Sequence, residues 1–187
     1  MTITEIENDL KKRLKPSRYQ HTMGVMYTAA ALAMRYQYPM ESALYAGLLH
    51  DCAKYESGEN LLKICRENGI PVTEVEEKSS QLLHAKVGAF YARERYGVKD
   101  PQILHAITVH TTGMPNMSML DKILFIADYI EPGRDKARNL TEIRSLAFED
   151  LDRACAKILK DTLDYLKERG QEIDTTTEAT YEFYSKV

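Results

Sequence analysis

In the run AGLLHD an imidazole and a carboxylate, His50 and Asp51, arrive side by side at the end of a small, apolar helix. An unpaired carboxylate in such surroundings is costly, so Asp51 is expected to be protonated, hydrogen-bonded or bound to a cation. Asp128 raises the same question inside ILFIADYI. Its neighbours three and four positions away, Leu124, Phe125, Glu131 and Pro132, include no base. Asp128 is therefore either a surface group at the edge of a buried helix or a ligand to a metal. Of the five histidines, His21 (RYQHTMGV), His84 (LLHAKVGA) and His110 (AITVHTTG) sit beside small or apolar residues in helical patterns. Imidazole is the commonest ligand for zinc and iron, and a set of His, His-Asp and Asp supplies three or four ligands with a position open for water. His21, His50-Asp51 and Asp128 would provide such a set from three separate helices. His105 lies about 140° further round a helix of about 3.6 residues per turn from His110, so the two do not share a site.

Phosphate chemistry needs cations near such a set but not on it. Arg18 stands three residues before His21 on the same helical face, Lys54 follows the His-Asp pair, and Arg134 follows Asp128 in the segment EPGRDKARN together with Lys136 and Arg138. A guanidinium at Arg18 can reach a bound phosphate bidentately, and each of these cations also reads as a solvated surface charge. Cys52 beside the His-Asp pair reads as a small buried side chain. Tyr19 and Tyr129, next to candidate ligands, are candidates to line an adenine pocket.

The elements that would hold these residues are helical throughout. Apolar residues recur at helical spacing, as in Ile3, Ile6, Leu10 and Leu14, and in Leu151, Ala154, Ile158, Leu159, Leu163 and Leu166, and no period-2 strand is evident. Starts are marked by Ser17 after Pro16, by Thr73 with Glu76 as a capping box, by Asp100 before Pro101 and by Ser118, and stops by Gly69, Gly97 and Gly170. Helices are expected over 4–14, 18–36, 40–52, 58–68, 84–96, 101–111, 118–130, 141–148, 150–169 and 176–185. The segment from Gly170 to Thr177 is either a fraying end or a strap over a pocket. The expected fold is an all-α bundle forming one domain over 1–187, with the metal-site core at about 16–138 and C-terminal helices at 141–187.

Composition narrows the function classes. The 187 residues carry 9 Gly and 6 Pro, too few turn formers for an all-β fold, and a net charge of −3, which does not suit a nucleic-acid or anionic membrane surface. No apolar run approaches the roughly 18 residues of a membrane helix, and the acidic, amphipathic start is no signal peptide, so a cytoplasmic location is expected. Cys52, Cys65 and Cys155, odd in number and widely spaced, are expected to be reduced, half-buried thiols.

The H…HD…D order in an all-α chain resembles the HD superfamily of metal-dependent phosphohydrolases. More specifically, RYQHTMGV, AGLLHDCAK, HAKVGAFYARERYGVKD, ILHAITVHTTG and MSMLDKILFIADYIEPGR are similar to the YqeK family over most of residues 16–138. The resemblance implies symmetrical cleavage of diadenosine tetraphosphate into two ADP by metal-activated water. It also implies iron, one ion or two, on His21, His50, Asp51 and Asp128, with manganese, zinc and cobalt as alternatives. It places Asp51, His84 and His110 in catalysis, and Arg18, His21, His84, His110, Thr111, Asp128, Arg134, Gly170 and Thr175 at the nucleotide and its phosphates. Other HD-type activities, such as a nucleotidase or phosphodiesterase, and a non-catalytic nucleotide-binding module stay open, as does the choice between monomer and homodimer.

Overall fold

The computed structural model describes residues 1–186, and among them there are helices and no strand. The amino-terminal half runs α1 (Ile3–Arg13), α2 (Pro16–Arg35), α3 (Met40–Leu49), α4 (Gly58–Glu67) and α5 (Glu74–Lys78). A single 3-10 turn, Ser80–Leu83, leads into α6 (His84–Glu94), followed by α7 (Pro101–Val109), α8 (Met119–Ile130), α9 (Leu140–Leu146), α10 (Leu151–Glu168) and α11 (Thr175–Tyr184). None of these is long and apolar enough to cross a membrane.

The start signals act through backbone N–H groups that a first turn leaves unpartnered. Asp100 accepts from Gln102 N ahead of Pro101, and Ser118 exchanges bonds with Asp121 in a capping box. α2 starts two residues earlier than the expected 18: Pro16 is its first residue, where a missing N–H costs nothing. The capping box at Thr73 and Glu76 opens α5, a helix absent from the expected set because its five residues are too few to display an apolar face. Helices α4, α6 and α10 end close before Gly69, Gly97 and Gly170, whose φ angles of +64°, +73° and +60° are left-handed. Four expected helices end two or more residues early: α3 at Leu49, α6 at Glu94, α7 at Val109 and α9 at Leu146, so His50 and His110 are caps rather than interior residues.

α8 lies at the centre, buried on nearly every face, with α2, α3, α7 and α10 against it and α11 packed on α10. One continuous apolar cluster runs from Ile6 on α1 to Tyr184 on α11. The tightest crossing joins α2 to α3, where a Cβ on Gly47 would come within 2.6 Å of Met26 Cα and 3.2 Å of Val25 O. Backbone cannot retreat as a side chain can, so Gly47→Ala must push the two helices apart. We expect it to destabilise the protein by about 1–3 kcal/mol, as overpacked cores do. A thermal scan checks this: Tm should fall by several degrees, and a change under about one degree contradicts the close crossing.

Candidate metal centre

Three of the histidines obey one local rule. His50 Nδ1 donates to Gly47 O at 2.7 Å, His110 Nδ1 to Ile107 O at 2.7 Å, and His84 Nδ1 to Gln81 O, each a carbonyl three residues upstream. The last carbonyls of a helix lack N–H partners, and an imidazole at the cap supplies one. This is the reason α3 and α7 stop where they do. With the proton committed to Nδ1, each Nε2 presents a lone pair, that of His84 lying 3.2 Å from Lys54 Nζ.

Those lone pairs converge on Asp51. Its Oδ2 lies 3.5 Å from His50 Nε2 and 4.0 Å from His21 Nε2, while Oδ1 lies 3.2 Å from His84 Nε2 and 3.9 Å from His110 Nε2. His84 Nε2 and His110 Nε2 are 3.3 Å apart. Two ligand sets of metal-binding dimensions result, His21-His50-Asp51 and Asp51-His84-His110, with Asp51 common to both. Asp128 Oδ1 stands 3.0 Å from His21 Nε2 and 4.0 Å from His50 Nε2, on the side of the first set.

The donors fit a divalent cation. His21 Nε2 and His50 Nε2 are buried without a hydrogen-bond partner. His21 Nδ1 lies 3.0 Å from Glu131 Oε1, which takes its proton, so Nε2 meets Asp128 as acceptor facing acceptor. A buried acceptor left bare costs about 1–3 kcal/mol, and two facing each other call for a positive charge between them. The electrostatics hold both carboxylates ionised and His110 neutral, whereas at His50 burial is outweighed by Asp51 and Asp128, which push the imidazole up. Burial resists the charge on Asp51, but His50 and His84 outweigh it and hold the carboxyl well below its usual range. Burial likewise resists ionisation of Asp128, and His21, His50 and Arg134 reverse it. Burial, with His50 and His84 alongside, pushes His110 down to about 3, so its ring is neutral at neutral pH.

Two arginines border the carboxylates. Arg18 Nη1 bonds Asp51 Oδ2 at 2.8 Å, and Arg134 Nη2 bonds Asp128 Oδ1 at 2.8 Å, with side chains 36% and 39% exposed. Asp128 thus has the base that helical spacing denied it, delivered by a loop. Sequence reasoning missed Glu131, which is 3% exposed and accepts from His21 through Oε1 and from Gly133 N at 2.6 Å through Oε2. Its signal was available, because an acid at the carboxyl end of a helix opposes the macrodipole and needs a local reason. Gly24 makes room for it, since a Cβ there would strike the Glu131 carboxylate. Arg144, also missed, donates to Ile130 O, Glu131 O and Arg134 O, each at 2.9 Å, and so clamps the loop that carries Glu131 and Arg134.

Residues 18–133, which include the four clustered histidines, Asp51, Asp128 and Glu131, match the HD domain family. This chain belongs to the HD domain family. The matched span contains the chain's one His-Asp step, His50-Asp51. Over 172 residues, covering 92% of this chain and 91% of the relative, it is 41% identical to a symmetrical bis(5'-nucleosyl)-tetraphosphatase of Halalkalibacterium halodurans. A protein of the same name from Bacillus subtilis is 37% identical over the same shares of the two chains. The crystal structure of a predicted HD superfamily hydrolase involved in NAD metabolism, from Clostridium acetobutylicum, superposes with a TM-score of 0.96 at 38% identity, covering 100% of this chain and 98% of that one.

The HD centre opens on two clefts. One, of about 280 Å³, is lined by Ser17, Arg18, His21, Arg134 and Lys136. The other, of about 460 Å³, is lined by Lys54, His84 and Thr111 and by the tail residues Gln171, Glu172, Asp174 and Thr177. The 170–177 segment is therefore a strap along that cleft, although Gly170 and Thr175 themselves are not in its lining. Lys54 is nearer the centre than its spacing suggested, with Nζ 3.1 and 3.2 Å from the ring nitrogens of His84. Tyr19 and Tyr129 line neither cleft. Tyr129 donates its hydroxyl to Arg138 O, and Arg138 pairs with Glu168 on the surface. His105 is bound to Asp121 at 2.9 Å, outside the centre. The three thiols are fully buried rather than half-buried, because small apolar side chains fill helix crossings. Cys52 Sγ faces Gly88 O at 3.4 Å and supplies no ligand.

Proposed function

We propose that this chain is a metal-dependent hydrolase that cleaves diadenosine tetraphosphate symmetrically into two ADP. The observation that carries the reading is Asp51, shared by two sets of lone pairs, with Arg18 bonded to it and Arg134 bonded to Asp128. Full-length relatives named for this reaction, 41%, 37% and 32% identical, support it. We take the chain as one HD domain over 1–187, and iron as the metal, with manganese, zinc and cobalt as alternatives that imidazole and carboxylate ligands also suit.

His21, His50, Asp51 and Asp128 would hold the ion, and Asp51, His84 and His110 a second one. A divalent ion held there supplies Lewis acidity and a water acidified to near neutral pH. The protein does the rest by position and charge. Arg18 and Arg134 offer their remaining N–H groups to phosphate oxygens and balance the charge that gathers during cleavage. His110, neutral at working pH, acts as a ligand and not as an acid. Lys54, beside His84, is the proton-bearing group best placed to neutralise the departing phosphate. Water adds to the second phosphorus from one adenosine, the bond to the central bridging oxygen breaks, and that oxygen leaves with the other ADP.

Product analysis by anion exchange, with iron-loaded protein and a chelated control, tests this. ADP as the sole product, lost on chelation, is the expected result. ATP plus AMP, or inorganic phosphate, would overturn the symmetrical reading in favour of another HD-type activity.

A further inference from the structure

The two clefts differ in a way that sorts the halves of a symmetrical substrate. The smaller one gathers Arg18, Arg134 and Lys136. Of the two acids there, Glu131 is already shared between His21 and Gly133, leaving Asp135. Ala137 is the largest apolar side chain in its lining, which holds no Phe, Tyr or Trp. The larger cleft is more mixed. Lys54 and His84 line it where it meets the metal centre, Leu82 and Leu166 give it an apolar surface, Thr111 and Thr177 give it hydroxyls, and its carboxylates are Glu172, paired with Lys78, and Asp174, which caps α11.

A polyphosphate is repelled by carboxylates and drawn to guanidinium and ammonium groups. A nucleoside wants apolar surface under its base and acceptors for its ribose hydroxyls. The larger cleft therefore suits a nucleoside and the smaller one phosphates. Cleavage at the midpoint of the tetraphosphate places the reacting phosphorus over Asp51, between the clefts. One half then seats its nucleoside against Leu82 and Leu166, and the other half runs out past Arg18, Arg134 and Lys136. At about 280 Å³, the smaller cleft is below the roughly 300–1,000 Å³ of sites that enclose a whole small molecule, and two phosphates already occupy part of it.

Resting on the tetraphosphatase reading above, we infer that the protein grips one nucleoside of its substrate and reads the second half through its phosphates alone. The second nucleoside stands in solvent.

Adenosine 5'-tetraphosphate, which keeps all four phosphates and lacks the second nucleoside, is the probe. Metal-loaded protein should split it at the midpoint into ADP and pyrophosphate. Its kcat/KM should lie within about threefold of that for diadenosine tetraphosphate, since an ungripped nucleoside contributes well under the 1.4 kcal/mol that makes a factor of ten. Lys136→Glu should raise KM for both substrates by about tenfold, because it reverses a charge beside the shared phosphates. A probe cleaved about thirtyfold or more worse than the dinucleotide overturns the inference, as does a Lys136→Glu effect confined to the dinucleotide. If the dinucleotide itself is not cleaved, the tetraphosphatase reading fails and takes the inference with it.

Discussion

Asp51→Asn is expected to lower kcat by at least about a thousandfold and to strip the protein of most of its metal, as loss of a ligand shared by two ions should. The substitution keeps the volume and removes what the position needs. Asp51 points one oxygen at His21 and His50 and the other at His84 and His110, and its surroundings hold it ionised. Asparagine offers one acceptor and one N–H2 group. That N–H2 must face one of the two imidazole pairs and occupy the lone pairs meant for a cation. The fold should survive, since Asp51 belongs to no helix and its pairing with Arg18 is at the edge of a cleft. Metal content by elemental analysis and turnover of the circular-dichroism-checked variant decide the matter. Full metal occupancy with kcat within about tenfold of the parent would show that Asp51 is no ligand.

The second large effect is expected at a residue that touches no substrate. Glu131→Gln should weaken metal binding by about 10–100-fold, the usual cost of losing the group that orients a ligating imidazole. The two oxygens of Glu131 accept from two donors, His21 Nδ1 and Gly133 N. Glutamine cannot serve both. With its N–H2 toward Gly133, donor meets donor. With its N–H2 toward His21, the ring is driven to the other tautomer, and Nε2 loses the lone pair that it turns toward Asp128 and Asp51. Titration of the apo variant with ferrous or manganous ion measures the change, and unchanged affinity would reduce Glu131 to a packing residue.

These two residues mark how far the sequence could be read. Asp51 was legible because an acid beside a histidine at the end of an apolar helix is chemically conspicuous in one dimension. Asp128 and the three further histidines were conspicuous for the same reason, and the resemblance to an HD family joined them into a set. The helices were legible from period and caps, including the Ser118 and Asp100 starts, because a few neighbouring residues settle those choices. Of the helices read too long, α3 and α7 failed because apolar period continues past the point where an imidazole takes over the last carbonyl.

Glu131, Arg144 and the partner of Asp128 were not legible, for a different reason. Glu131 meets a histidine 110 residues away, and Arg144 holds three carbonyls of a loop whose path no local rule predicts. Arg18 was expected to face a phosphate, and in the fold its guanidinium also binds Asp51, 33 residues on. The contrast between a cationic cleft and one of apolar, hydroxyl and mixed-charge lining came from the same source, since α2, the loop after α8 and the strap after α10 supply their walls from distant parts of the chain. The sequence by itself determined that the protein is helical and which side chains carry the chemistry, because hydrophobic period and donor type are properties of near neighbours. Only the tertiary structure decided that four imidazole lone pairs meet around one aspartate, which residues orient them and on which side each cleft opens, because those facts are distances between helices, set by packing around α8.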